Sequence, residues 1–374
     1  MPKIKSLYLH FPFCAHLCNY CDFFKSVPQN KEKDFQDFSY YLEQCNQVHS
    51  ALLKKYSYQF VPFETFYIGG GTPSLWSTTG AQTLKEFFQK NDWSLSEQVE
   101  ATLEVNPGGW TKEGLDAFRA FGMNRFSLGI QSLNEKFLKI LDRYHDLNHV
   151  HETLNYFNEH QLNFSVDFML GLPFSKDHSR DVISELEAIL KYNPKHISLY
   201  ILTIKSNYVH KDHMPDDEWV ESEYLKVAEY LAQHGYVHYE VSNFAKPGFE
   251  SKHNLRYWEA ETVAALGPSA TGFLKEQNLR YKWKPYKFEF EEEILTDSEM
   301  EFEKVYLNLR CFKGLKLDDY FKALSPDKIS AWQTLICKWE SSGYLKSKNP
   351  LILNSKGFLI MDSLMDDLFK KDLI

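Results

Sequence analysis

Short apolar segments alternate with longer segments of helical periodicity over the first two thirds of the chain. The predicted strands span residues 7–11, 65–68, 100–105, 125–130, 163–170, 196–202 and 236–242. Between them, apolar residues recur every three or four positions over residues 35–54, 80–90, 112–121, 133–142, 148–160, 180–191 and 217–234. This alternation predicts parallel βα units. The predicted fold is therefore α/β, a partial barrel of the (βα)6 type whose ligand-binding loops gather at the carboxyl ends of the strands.

The pattern changes in the last third of the chain. Residues 273–300 are rich in charged and aromatic side chains, and helical patterns follow from Thr296. Two short segments around a turn, residues 343–345 and 351–353, come next. Helices followed by a short hairpin predict a small winged-helix-like α+β domain. We expect three parts, namely the barrel over residues 1–235, an extension of the barrel with a heme-associated segment over residues 236–295, and the C-terminal domain over residues 296–374.

Charge and composition limit the function classes. The formal net charge is −9 and the pI is about 5.9, which disfavours nucleic-acid binding because phosphate contacts need lysine and arginine concentrated on one face. No stretch of about 18 or more apolar residues is present, so the chain is not predicted to be embedded in a membrane; peripheral contact stays open. The N-terminus has no long apolar segment before a cleavage site, and a cytoplasmic protein is expected.

Three of the six cysteines crowd into the segment after the first predicted strand. Cys14, Cys18 and Cys21 have the spacing C-x3-C-x2-C, and the other three are scattered. This is not a disulfide framework, and clustered thiols in a large chain indicate metal or redox chemistry. Three such thiolates can hold three irons of a [4Fe–4S] cluster and leave the fourth iron open. The alternative is a structural zinc site with His10 or His16 as fourth ligand, although such sites prefer two separated C-x2-C pairs.

A series of motifs resembles one known family. Residues 8–14 (YLHFPFC), with Cys18 and residues 21–23 (CDF), are similar to radical S-adenosylmethionine (SAM) proteins related to oxygen-independent coproporphyrinogen III oxidase. Matching motifs follow in the same order at residues 69–74 (GGGTPS), 104–107 (EVNP), 128–132 (LGIQS), 142–143 (DR), 166–167 (VD), 171–173 (GLP) and 196–200 (HISLY). The resemblance covers roughly residues 4–273. It implies a radical SAM barrel in which SAM chelates the open iron and an electron from the cluster cleaves it to a 5′-deoxyadenosyl radical.

The resemblance also assigns residues to a SAM pocket. Gly71 and Thr72 are expected to meet the amino group of SAM, since glycines let the backbone approach a ligand closely. Arg143 is expected to hold the SAM carboxylate through a bidentate fork. Tyr20 would pack the adenine or shield the cluster. The other residues expected to bind the cofactor are Tyr8, Glu104, Gln131 and Asp167, with Glu104 and Gln131 orienting the methionyl and ribose parts and Asp167 accepting from ribose hydroxyls.

Two functions are open within this family. One is oxidative decarboxylation of coproporphyrinogen III. The other is that of a heme chaperone, which binds heme on the same scaffold and transfers it to an acceptor protein. Three features favour the chaperone by resemblance. Phe23 stands where the decarboxylases have a further cysteine, the chain begins almost at the cluster strand, and residues 253–258 (HNLRYW) match an H-N-x-x-Y-W signature of the chaperones.

The last of these segments is the expected heme region. A neutral imidazole such as that of His253 commonly ligates heme iron, and Tyr257 and Trp258 offer flat surfaces suited to a porphyrin. The alternative is that this segment supports the SAM site. The expected ligands are a [4Fe–4S] cluster, SAM and heme, and the expected partners are an electron donor and a heme acceptor protein. Coproporphyrinogen oxidase activity is not expected.

Overall fold

A nine-stranded mixed sheet forms the centre of the computed structural model, which describes residues 1–374. The strands run in the order β7-β8-β6-β5-β4-β3-β2-β1-β9. Their bounds are β1 Lys3–Phe11, β2 Gln59–Gly70, β3 Leu95–Val105, β4 Arg125–Gln131, β5 Phe164–Leu170, β6 His196–Ile201, β7 Val237–Glu240, β8 Asn243–Ala245 and β9 Ala264–Leu266.

The first six strands are joined by five parallel pairings between consecutive strands, and each of the six is followed by helix. The helices are α1 Lys31–Lys55, α2 Ser77–Lys90, α3 Lys112–Phe121, α4 Glu135–Ile140, α5 Leu147–Glu159, α6 Val182–Leu190 and α7 Asp217–Gln233. Both α4 and α5 lie between β4 and β5. The predicted α/β fold with six βα units is confirmed.

The two faces of the central strands differ in polarity. Because successive side chains point to opposite faces of a strand, leucine and phenylalanine residues such as Leu103 and Phe126 face the helices and belong to the main core of 56 buried residues. The opposite face is buried but polar. Its members include Thr65, Thr102, Arg125, Ser127, Ser165, His196 and Ser198. The inside of the partial barrel is therefore lined by hydrogen-bonding groups. Polar side chains also line the carboxyl ends of the strands.

The segment predicted as one strand over residues 236–242 forms two short strands instead. The β7 and β8 strands are antiparallel, and β8 also pairs antiparallel with β6. The carboxylate of Glu240 accepts hydrogen bonds from the backbone N–H of Ser242 at 3.2 Å and from the side-chain amide of Asn243. These local bonds stabilise a turn between the strands, which apolar periodicity does not predict.

The last third of the chain combines short antiparallel strands with helices. A three-stranded sheet joins β10 Thr271–Leu274, β11 Leu279–Trp283 and β12 Phe290–Ile294. The remaining elements, after α8 Lys252–Trp258, are α9 Asp297–Leu309, α10 Leu317–Tyr320, α11 Pro326–Ser341, β13 Leu345–Lys348, β14 Leu351–Leu353, α12 Ser355–Leu359 and α13 Met361–Phe369.

A second core of 17 buried residues lies in this C-terminal part, around Trp332 and Trp339. Helices followed by the β13–β14 hairpin agree with the predicted small α+β arrangement. The proposed division of the chain at residues 235 and 295 stays a prediction. None of the helices has the length and apolar character needed to cross a bilayer.

Candidate functional site

A cavity of about 420 Å³ opens where the parallel strands end. The cysteine segment after β1 forms one wall, and polar side chains at the carboxyl ends of β2 to β6 form the rest. Ten residues predicted from the sequence line this cavity together: Cys14, Tyr20, Cys18, Cys21, Gly71, Thr72, Glu104, Gln131, Arg143 and Asp167.

Hydrogen bonds close both ends of the cysteine segment. The backbone N–H of Cys14 donates to the carbonyl oxygen of Ser26 at 2.9 Å, and the N–H of Ser26 donates to that of Pro12 at 2.8 Å. From β1, Nε2 of His10 lies 2.8 Å from the carbonyl oxygen of Phe24. The segment is thus held as a closed loop over the strand end, with its three thiols facing the cavity.

The donor set of this loop fits an iron–sulfur cluster. Cys14 is 8% exposed, and burial raises the pKa of its thiol to about 11. No three His, Cys, Asp or Glu side chains are already set at the spacing of a metal site. The three thiols would therefore move together as the cluster is inserted. Each would also lose its proton, because thiolates are the form that binds metal.

The two histidines near the loop differ in how far they are engaged by other groups. Both ring nitrogens of His10 lie within hydrogen-bonding distance of other groups, Nδ1 at 3.0 Å from the hydroxyl of Tyr8. Nε2 of His16 is 2.9 Å from a carboxylate oxygen of Asp142. His10 is thus unavailable as a fourth zinc ligand, and three closely spaced thiols suit a [4Fe–4S] cluster with one open iron better than a zinc site built from two separated cysteine pairs.

The glycine-rich turn after β2 packs directly under the cysteine loop. The N–H of Gly71 donates to the carbonyl oxygen of Phe11 at 2.7 Å, and that of Thr72 donates to Phe13 at the same distance. A Cβ atom on Gly71 would lie 2.5 Å from the carbonyl oxygen of Phe13. Glycine is therefore required there for contact between two backbones, in addition to the ligand contact predicted from the sequence.

Arg143 joins the ends of β3 and β4 to the cysteine loop. Its Nη2 atom donates to the carbonyl oxygen of Gly129 at 2.8 Å and to the side chain of Asn106. Its Nη1 atom lies 3.2 Å from the hydroxyl of Tyr20 and 3.5 Å from Sγ of Cys18. Nε is buried without a protein partner. The guanidinium group is thus fixed beside the thiols with a donor left for an anionic group such as a carboxylate.

Two buried carboxylates form the floor of the cavity. Glu104 accepts from the hydroxyl of Tyr67 at 2.8 Å and from the N–H of Gly70 at 2.9 Å. Asp167 accepts from the hydroxyl of Ser127 at 3.3 Å. Burial raises the pKa of both groups, that of Glu104 to about 7. Each carboxylate receives only one or two hydrogen bonds from these protein groups. Its oxygens can therefore accept further hydrogen bonds from hydroxyl groups such as those of ribose.

Four predicted cofactor-binding residues lie away from this cavity. Tyr8 is beneath it, on the inner face of β1. His253 is 2% exposed, with Nδ1 2.9 Å from the hydroxyl of Thr65, and Tyr257 packs edge-on against its ring. The guanidinium carbon of Arg310, at the end of α9, lies 3.9 Å from the centre of the Trp258 ring. The structure separates the HNLRYW segment from the thiols, and the predicted heme contacts of this segment stay a prediction.

Several residues of the cavity were not predicted from the sequence. Asn106 follows β3 directly and contacts Arg143, while Met169 and Tyr200 lie near the ends of β5 and β6. The period of two along a strand could have indicated Tyr200, because it follows Ser198 on the same face. Asn106 stands before a proline at a strand end, which is a turn signal and not by itself a sign of function.

Comparisons with known proteins agree on one family. The model of the radical SAM superfamily matches residues 8–186. The heme chaperone HemW of Lactococcus lactis is 31% identical over 86% of this chain and 85% of its own. That of Bacillus subtilis is 30% identical over 94% of this chain and 97% of its own. The structure of coproporphyrinogen III oxidase (HemN) from Escherichia coli, a radical SAM enzyme, superimposes with a TM-score of 0.78 at 20% identity, covering 98% of this chain and 89% of that one.

Proposed function

Because the chain belongs to the HemW family of radical SAM proteins, we propose that it is a heme chaperone. It binds a [4Fe–4S] cluster, SAM and heme, and it transfers heme to an acceptor protein. The observation that carries this proposal is the similarity to heme chaperones along nearly the whole length of both chains. The likeness to HemN, at 20% identity, supports the fold alone.

The cavity residues have separate tasks in this proposal. Cys14, Cys18 and Cys21 ligate the cluster, which when bound supplies an electron to SAM. Arg143 orients the SAM carboxylate beside the thiols, because its guanidinium group is already fixed by Gly129 at 2.8 Å. The carboxylates on the floor accept hydrogen bonds from the ribose, and the stacked glycine turn keeps the loop closed above them.

Coproporphyrinogen III oxidation is the alternative function, and one residue at the cavity rim argues against it. The side chain of Phe23 lines the cavity and is 70% exposed. A large apolar ring therefore stands at the position where a fourth thiol distinguishes the decarboxylases. We expect no turnover of coproporphyrinogen III.

An anaerobic titration with heme, read by visible absorbance, tests the proposal. The same sample of reconstituted protein is assayed for coproporphyrinogen turnover with SAM and a reductant. Stoichiometric heme binding without turnover is the expected result. Turnover with only weak heme binding would show that the protein is a decarboxylase. Cys14→Ala and Cys311→Ala serve as matched variants, because both thiols are buried and only the first is expected to abolish the cluster absorbance.

A further inference from the structure

One lysine of the cysteine segment lines the same cavity as the three thiols. The ammonium group of Lys25 donates a hydrogen bond to the carbonyl oxygen of Cys21 at 2.5 Å. The side chain is half-buried, so it lies against the backbone of an expected cluster ligand instead of extending into water. A positive charge is therefore held beside the place where the cluster is expected to bind.

This charge is not balanced within the segment. Apart from the thiols, the ionisable side chains between Cys14 and Ser26 are His16, Asp22 and Lys25. Asp22 pairs with Lys205 across the rim of the cavity, and Nε2 of His16 lies 2.9 Å from a carboxylate oxygen of Asp142. Lys25 forms no ion pair of this kind, since its hydrogen bond goes to a neutral carbonyl group.

The other charged groups of the cavity are held by the strand ends. Nη1 of Arg143 is 3.5 Å from the sulfur of Cys18, and its guanidinium group is the expected partner of the SAM carboxylate. Glu104 and Asp167 lie on the floor, where burial raises the pKa of both carboxyl groups and so favours their neutral form. A substitution at Lys25 leaves these three groups in place, so its effect reports the charge of the lysine.

We infer that Lys25 raises the reduction potential of the [4Fe–4S] cluster through its charge, without being a ligand. This inference rests on the proposed function, in which the three cysteines hold the cluster. One electron from an external donor adds a negative charge to a cluster that three thiolates already make anionic, and no proton is needed. An adjacent ammonium group stabilises the reduced form more than the oxidised form, because cluster potentials depend on net charge and on the surrounding charges and hydrogen bonds.

The raised potential acts in opposite directions on the two electron transfers of the proposed site. It favours uptake of an electron from the donor. By the same free energy it makes the reduced cluster a weaker reductant of SAM. Lys25 thus favours a state in which the cluster is reduced and the bound SAM is intact.

Redox titrations of the full-length, reconstituted protein, read by the EPR signal of the reduced cluster, test this inference. Lys25→Met removes the charge at similar side-chain length, and Lys25→Gln removes it but keeps a donor for the carbonyl group of Cys21. In both variants the equilibrium constant for one-electron reduction is expected to fall on the order of tenfold, which corresponds to about 59 mV, with unchanged iron and sulfide content. Lys25→Arg keeps the charge and is expected to keep the potential.

Lys191→Met is the matched control, because this exposed lysine follows α6 at the amino ends of the strands, the end opposite to the thiols. It is expected to leave the potential unchanged. If Lys25→Gln keeps the potential of the unaltered protein, or if the control lowers it as much, the charge of Lys25 does not set the potential and the proposed function stands.

Two further outcomes are distinguished by the iron and sulfide content. Loss of the cluster from both neutral variants, but not from Lys25→Arg, would show that the ammonium group holds the loop together, and it would overturn the inference. If the unaltered protein takes up no cluster on reconstitution, the proposed function itself fails.

Discussion

The hydroxyl group of Tyr67 donates a 2.8 Å hydrogen bond to Oε1 of Glu104 at the bottom of the cavity between the strand ends. A second donor, the N–H of Gly70, reaches Oε2 at 2.9 Å. Both bonds favour the ionised carboxylate, whereas burial favours the protonated form and raises its pKa to about 7. Near neutral pH this carboxyl group is therefore divided between two forms with different hydrogen-bonding capacity.

Tyr67→Phe is expected to weaken SAM binding most strongly at low pH. Removing one donor raises the pKa of Glu104 further, because the bond stabilises only the charged form. A hydrogen bond to a charged group contributes roughly 1.5–3 kcal/mol, so the Kd for SAM should rise about tenfold near pH 7 and less near pH 8.5. Calorimetric titration at several pH values measures this. Tyr156→Phe, which removes a 3.1 Å bond to Asp116 far from the cavity, is the control; an equal loss at every pH would contradict the explanation.

Glu104→Gln is expected to change how the stability of the cofactor-free protein depends on pH. The folded-state pKa of about 7 lies above the ordinary value of 4.5, so the unfolded chain releases the proton first. The contribution of Glu104 is thus fully present below about pH 4.5 and is lost as the pH rises through 7. Between about pH 5 and 8, the free energy of unfolding should fall by on the order of 2 kcal/mol more in the unaltered protein than in the variant.

Denaturant unfolding across this pH range checks that difference. Glu113→Gln, an exposed carboxyl group in the first turn of α3, is the matched control and should follow the unaltered protein. Parallel curves for the Glu104→Gln variant and the unaltered protein would show that the carboxyl group is not protonated in the folded state.

Arg143→Lys is expected to impair SAM binding and leave the cluster in place. The planar guanidinium group contacts Gly129 and Asn106 through one nitrogen and Tyr20 through another, and an ammonium group cannot reproduce that geometry. The Kd for SAM should rise at least about tenfold, with unchanged iron content. Arg119→Lys, in an exposed pair with Asp116 at 3.1 Å, should have no effect on either. Loss of iron in the Arg143 variant would mean that the arginine supports the loop itself.

Gly71→Ala is expected to prevent cluster assembly. Its new methyl group would meet the carbonyl oxygen of Phe13 at 2.5 Å, and neither backbone can move without displacing the loop that carries the cysteines. The measurement is iron and sulfide per protein after anaerobic reconstitution, which should fall severalfold. Gly235→Ala is the control, since a Cβ there meets nothing within 4 Å although φ is +79°. This variant should lose roughly 1–2 kcal/mol of stability because of the left-handed backbone and keep a full cluster.

The parallel core could be predicted from the sequence because its signals are local. Helix α3 occupies the predicted residues 112–121. Its first turn is capped by the hydroxyl of Thr111, and Gly122 ends it with a positive φ. Among the cavity residues, the three cysteines were predicted from their spacing and the others by resemblance to family motifs. Gly71, Glu104 and Gln131 also stand at or next to strand ends, which parallel strands bring together.

The remaining elements depend on contacts between distant parts of the chain. Helix α8 begins where Glu100 accepts hydrogen bonds from the N–H groups of Lys252 and His253, about 150 positions later. Strand β9 has three residues and exists through pairing with β1. Neither has a periodicity of its own. The position of the HNLRYW segment, outside the cavity that the thiols line, therefore could not be deduced from its sequence.

The pairing of β9 with β1 has a consequence for biosynthesis. The strand that leads into the cysteine loop has only β2 beside it until the ribosome has passed Leu266, because Ala264–Leu266 supplies its other neighbour. During translation of more than two hundred intervening residues, the nascent chain exposes an unpaired strand edge next to the three cysteines. The pairing of β1 with β9 joins residues far apart in the sequence and is therefore slow to form. Insertion of iron and sulfide into this protein is thus expected to follow release of the chain, and truncated products are expected to aggregate.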